Sequence, residues 1–365
     1  MNKKIKSLIC IILSLVMLSA VAVTAFAETS FSYRFDDKHD KLLADYPDFA
    51  SIVNEELSST PVPGVEKTKM GEDLYCYNMA PQGFCFAGEY MLITAYDYEK
   101  EFNSVIYVLS NDDVYNRELL TVIVTEDMNH VGGIACDGEY VYIARSSDET
   151  LGVISLDTIR NATATDVSAV PYLAMAETDC TASSVSYYDG KLWVGTFQET
   201  WFSTLRGFTV EVKDGVPVLT ETDKIYVPFK TQGVEFFDVE EKTYLAVSSS
   251  YGRNNKANLY VFEITETENG IAKSFCNKFV MPPLTEEIGL YNGYMYLITE
   301  GAATEYTSTD CRNTDAPLDR VAAFATEKLI APNTNASVFD NILAVIETEF
   351  CEIMLKLEAI FANFF

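Results

Sequence analysis

One phrase recurs five times along this chain and constrains its fold more than any other property. It is a short apolar strand, a tight turn and a second apolar strand. The copies are PQGFCFAGEYMLIT (81–94), NHVGGIACDGEYVYIA (129–144), TASSVSYYDGKLWVGT (181–196), TQGVEFFDVEEKTYLAV (231–247) and TEEIGLYNGYMYLIT (285–299). Aligned on the turn, Gly88, Gly138, Gly190, Glu241 and Gly293 are separated by 50, 52, 51 and 52 residues. Asp-Gly or Asn-Gly between two apolar runs is a hairpin signal. A constant period in units too small to bury both faces alone marks a repeat architecture.

Around each phrase the chain reads as strand after strand from 72 to 330. The first unit gives QGFCFAG, YMLITAYD, NSVIYVLS and ELLTVIVTE, and units two to four give four strands each, with SAVPYLAM closing the second. Four antiparallel strands per ~50 residues is the blade of a β-propeller, whose radial stacking covers both faces and leaves only short edges. The fifth unit supplies three clear strands, and EDLYCYNM (72–79) is expected to complete it by pairing the two chain ends. The expectation is an all-β fold: a β-propeller of five blades of four antiparallel strands, with six as the fallback, and short N-terminal and C-terminal helices.

The flanks divide the rest. Lys3, Lys4 and Lys6 precede an apolar run to Phe26 and the small-residue end Ala25-Phe26-Ala27, the pattern of a signal peptide over 1–27. An uncleaved membrane anchor is the competing reading, since the run is long enough to span. Residues 28–71 form a helical leader and linker, with an amphipathic pattern over 39–57 kinked at Pro47 and punctuated by SSTPVPG. Residues 300–318 are a polar, turn-rich insertion in the last unit, read as a rim loop or a disordered excursion. In 333–365 an amphipathic helix follows Ser337, with Phe339, Leu343, Ile346, Phe350, Ile353, Leu357, Ile360 and Phe364 spaced 4-3-4-3-4-3-4. That is a heptad seam, to be covered by the leader, by the propeller side or by a second copy, which makes a homo-oligomer through 337–365 one expectation. Its acidic polar face argues against lipid.

Formal charge is −28, and −31 once three lysines leave with the signal. Such a chain is repelled by phosphates and anionic lipid, which argues against nucleic acid and membrane surfaces as partners. With a secretory signal it is expected outside the cell, with an extracellular glycan or protein as partner and no membrane span after cleavage. No cofactor or metal is expected: calcium could bind diffusely, but no stretch matches an EF-hand loop. His39 and His130 are the only histidines, and no cysteine pair has zinc-site spacing. The seven mature cysteines are not a disulfide framework; one bridge, for instance Cys76 to Cys85, stays open.

Residues that begin the first strand of each blade converge on one mouth of the channel. These include Gln82, Asn129, His130, Ser183, Gln232, Glu235 and Glu286, a mostly uncharged set suited to a neutral or sugar-like ligand. SSSYGRNNKAN (248–258) adds Tyr251 and Arg253 for stacking and bidentate donation. The primary expectation is non-catalytic binding of carbohydrate or a protein surface at this mouth. The alternative is a polysaccharide- or lactone-acting hydrolase or lyase, with His130 and Glu235 or Glu286 as acid and base. The acids fall only in units four and five, and Glu286 and Glu287 should point to opposite faces of one strand. No G-x-S-x-G elbow surrounds Ser183 and Ser184.

GIACDGEYVYI and SVSYYDGKLWV are similar to the hairpins of secreted bacterial propellers in the broad YVTN, NHL and gluconolactonase-like assemblage, over residues 72–330. The resemblance implies the architecture. Calcium-dependent lactonases of that group draw carboxylate and asparagine ligands from several blades; this chain offers Asn129, Glu235 and Glu286 without a matching pattern, so the activity is not carried over.

Overall fold

The computed structural model describes residues 33–268, 270–308 and 313–362, with side chains except at 338 and 358–362. The expected signal peptide at 1–27, Cys311, Phe364 and the side chain of Ile360 lie outside that description. No helix among the described residues is long and apolar enough to cross a membrane.

The recurring hairpins set the architecture. Asp189 and Gly190 have φ 47° and 77°, and Asn292 and Gly293 have 50° and 78°. Two successive left-handed residues make the turn whose twist matches paired strands, and Asp, Asn and Gly tolerate that conformation. The fourth hairpin lacks glycine and places Glu240 at φ 58° instead.

Each hairpin becomes the two innermost strands of one blade. The inner strands are Met79–Ala87, Gly133–Cys136, Ser184–Tyr188, Thr231–Val239 and Thr285–Tyr291. Each touches the next in that order, and the fifth touches the first, so five blades close a ring. The core is five apolar layers, one between each neighbouring pair of blades. Ile134 and Ile143 of the second blade, for example, meet Leu92 and Ile106 of the first.

The two chain ends do pair, but not through 72–79. Thr60–Pro61 forms the outer strand of blade five, with Thr60 opposite Val321 and Pro61 opposite Arg320. Thr60 Oγ1 accepts from Arg117 Nη1 at 3.0 Å, and Val62 N donates to Asp319 O at 2.9 Å. Proline is tolerated there because an outermost strand has no further neighbour for its missing N–H. Tyr75–Cys76 pairs instead with Thr68–Lys69. The segment expected as one strand at 168–175 splits in two. Val167–Ala169 joins the edge of blade one in parallel, and Ala174–Glu177 completes blade two. Blade one therefore has five strands.

The leader folds as two helices, Asp36–Asp45 and Pro47–Ile52, broken before Pro47 as its ring requires. Leu42, Phe49 and Ile52 pack into the layer between blades four and five, where Phe49 meets Phe324 edge-on at 6.1 Å. The C-terminal helix, Val338–Ala362, lies along the outer strands of blades three and four, Val216–Val227 and Gly270–Met281. Ala344, Thr348 and Cys351 are its buried contacts. Cys76 and Cys85 are both buried free thiols.

Candidate functional site

Three of the five inner strands break register as they leave the mouth. The irregularities fall between Pro81 and Phe84, between Thr231 and Gly233, and between Thr285 and Ile288. A bulge puts an extra residue on one strand and re-aims its side chain. Gln82, Gln232 and Glu286 sit in these bulges and turn toward one pocket of ≈ 500 Å³. Its wall also carries His130, Ser183, Tyr251 and Arg253. Seven of the nine anticipated residues are thus brought together.

Two are not. Asn129 is spent on the loop of blade two: its Nδ2 donates to Asp148 Oδ2 at 2.9 Å and its Oδ1 accepts from Ser147 N at 3.2 Å. Glu235 lines a separate, smaller pocket with Cys85, Cys136, Ser186 and Gly289. The separation is one of position along the channel: that pocket is lined by residues further along the inner strands of all five blades, and Glu235 lies past the bulge that delivers Gln232.

The pocket's acid chemistry lies at its floor. Glu300, at the start of the segment read as a rim loop, is buried beside Glu286. The two carboxyls hydrogen-bond to one another. Gln82 Nε2 donates to Glu300 Oε2 at 2.8 Å, and the Tyr306 hydroxyl is a further partner. Burial pushes the Glu300 carboxyl up to about 7, against the downward pull of the Tyr306, Gln82 and Glu286 hydrogen bonds and the Arg253 charge. Burial, then the Glu300 charge, holds Glu286 well above the ordinary carboxylate range. Two carboxyls in contact cannot both ionise at ordinary cost, so Glu286 keeps its proton while Glu300 titrates near neutrality.

Around this pair the wall is aromatic and hydroxylated. Tyr96, Tyr98 and Tyr306 cluster, with Tyr98 edge-on to Tyr306 at 6.2 Å, and Phe197 lies 6.1 Å from Tyr251. His130 stands edge-on to Tyr96 at 4.3 Å, and burial, helped by the Lys100 charge, holds its imidazole down at about 4. Arg253 lies over Tyr306, 4.7 Å from the ring centre, with Nη1 on Glu305 O at 2.8 Å and Nη2 paired with the Glu305 carboxylate.

Glu287 points elsewhere. Both adjacent glutamates are buried, and only Glu286 enters the pocket, as the opposite-face expectation requires. Glu287 Oε1 accepts from Val234 N at 3.0 Å and Ile288 N at 3.2 Å. Its carboxyl lies against Gly133 and Gly233, where an added Cβ would come within 2.8 Å and 2.4 Å of its oxygens. It fills the space between the inner strands of blades two, four and five. Among the described residues, no group of three His, Cys, Asp or Glu could hold a metal ion.

Sequence reasoning missed Glu300, Tyr306 and Tyr98. The one signal for the first two was that Glu300 follows directly on an inner hairpin.

Fold and site together define a five-bladed β-propeller with a ligand-sized pocket at a mouth of its ring. No family model matches the chain, and no curated protein does. Solved propellers are similar to it at low identity. The Myxococcus xanthus glutaminyl cyclase is 13% identical over 68% of this chain and 92% of its own, with a TM-score of 0.40. A 6-phosphogluconolactonase-like protein of Bacteroides uniformis is 11% identical over 57% and 74%, at 0.36. The Bacteroides ovatus xyloglucan PUL GH43B is 12% identical over 60% and 47%, at 0.37. The resemblance is one of architecture.

Proposed function

We propose that this propeller binds a small, neutral, hydroxylated molecule such as a sugar derivative or lactone at its mouth and moves a proton on it, with Glu300 as base and Glu286 as acid. The observation that carries this is the Glu286–Glu300 contact. Two buried carboxyls are destabilising as packing, and groups whose pKa values are pushed apart in a cleft are the usual acid–base pair. Glu300, at about 7, is matched to proton transfer near neutral pH. Glycoside hydrolysis by two separated carboxyls fits poorly, since that needs about 5–5.5 Å or 6.5–9.5 Å between them. Lactone opening or elimination needs only an adjacent acid and base. The tyrosines and Phe197 supply faces for a ring, and Gln82, Gln232 and Ser183 supply hydrogen bonds.

A second reading, binding without chemistry, draws support from the completeness of the network, because Gln82, Tyr306 and Glu286 already satisfy Glu300. An array of neutral glycans and lactones separates the two. Product from the wild-type chain, reduced at least ~100-fold by Glu300→Gln with binding retained, supports catalysis. Binding without product, lost in Tyr251→Ala, supports the second reading. Silence on both counts overturns the site.

A further inference from the structure

The C-terminal helix does not bury its heptad seam. Phe339, Ile342, Leu343, Val345, Ile346, Phe350, Ile353 and Leu357 are 40–68% exposed. The helix docks instead by the neighbouring stripe of Ala344, Thr348 and Cys351. Lys273 Nζ to Glu352 Oε1 at 3.0 Å and the Tyr260 hydroxyl to Glu347 Oε2 at 3.3 Å fix it there. The seam therefore faces outward from a helix that the propeller already holds. Its side chains offer on the order of 700 Å² per copy, beyond the largest apolar patch of a typical monomer and close to the ~800 Å² each partner gives a standard interface.

We infer that this seam is the interface of a symmetric dimer, occupied by the same helix of a second copy running antiparallel. About a midpoint at Thr348, antiparallel pairing sets Phe339 against Leu357, Leu343 against Ile353 and Ile346 against Phe350. Each apolar position of one copy thus meets an apolar position of the other. The outcome is an isologous contact, closed by its own two-fold axis. Lipid is a poorer occupant: Asp340, Glu347, Glu349 and Glu352 lie on the same helix, and the chain carries a formal charge of −28. Each propeller would sit on the outer side of its own helix, leaving both ring mouths open.

Sedimentation equilibrium of residues 28–365, which keep every described element, tests this across a 1000-fold concentration range. The wild-type chain is expected to dimerise. Ile346→Glu, at an exposed position, is expected to remain folded by circular dichroism and sediment as a monomer. Leu343→Glu, at another exposed seam position, is expected to do the same. A monomer at every concentration, or a dimer that survives Ile346→Glu, overturns the proposal. So does a monomeric chain that co-sediments with neutral phosphatidylcholine vesicles, which would make the seam a lipid contact.

Discussion

Gln82 and Glu300, 218 residues apart, meet through a 2.8 Å hydrogen bond from the Gln82 amide to the Glu300 carboxyl. The contact ties the first inner strand to the last blade and holds one oxygen of the pocket's acid pair.

Because burial raises Glu300 to about 7, the folded chain holds a proton there that the unfolded chain releases nearer the ordinary value of 4.5. That contribution is fully present below 4.5 and is lost as pH rises through about 7. Denaturant unfolding at several pH values should show wild-type stability falling over this window, relative to Glu300→Gln, by up to about 3 kcal/mol. Parallel slopes for the two proteins would contradict it.

His130 carries the opposite sign. Its native value of about 4 lies below the ordinary 6.5, so neutral imidazole is favoured by folding and that stability is lost as pH falls toward 4. With only two histidines in the chain, proton NMR resolves each ring. A native His130 resonance titrating near 6.5 would refute the buried, neutral assignment.

Glu287 behaves as packing. Glu287→Gln keeps an acceptor for Val234 and Ile288 and should change stability by less than about 1 kcal/mol, whereas Glu287→Ala should cost about 2–4 kcal/mol. Gly233→Ala should cost about 2–3 kcal/mol, since its Cβ would also stand 2.7 Å from the Glu287 Cα. Thermal unfolding of the three variants checks the order.

Asp319 anchors the leader. Its Oδ2 accepts from Arg34 N at 2.5 Å and Phe35 N at 2.7 Å from a fully buried position. Asp319→Ala should cost about 2–3 kcal/mol and expose the leader to protease before the ring opens. Cleavage appearing first inside the blades would point to a different weak spot.

What could be read in the chain was what repeats. The Asp189-Gly190 and Asn292-Gly293 turns announce hairpins whatever surrounds them, and their period leaves few folds. The pocket's polar strand starts followed from that register. Glu286 followed with them, and Glu287, on the other side of the strand, lies outside the pocket as two-residue alternation requires. Glu300 and Tyr306 lay in a polar, turn-rich stretch with no periodicity, and only tertiary contact makes it a wall. Thr60–Pro61 read as a linker for a related reason: two residues carry no strand pattern, and only Val321 and Arg320 make them one.

That short pairing also sets an order of events. The last blade lacks its outer strand until Arg320–Ala325 meets a segment made near the start of the chain, so the ring stays open until almost every other contact exists. A nascent molecule would pass through a C-shaped state with an unsatisfied edge, and closing it pays the entropy of a very long loop. At high concentration that edge can accept the Thr60–Pro61 segment of another molecule as readily as its own. Slow refolding that becomes concentration-dependent, with strand-swapped oligomers, is the kinetic signature this closure carries.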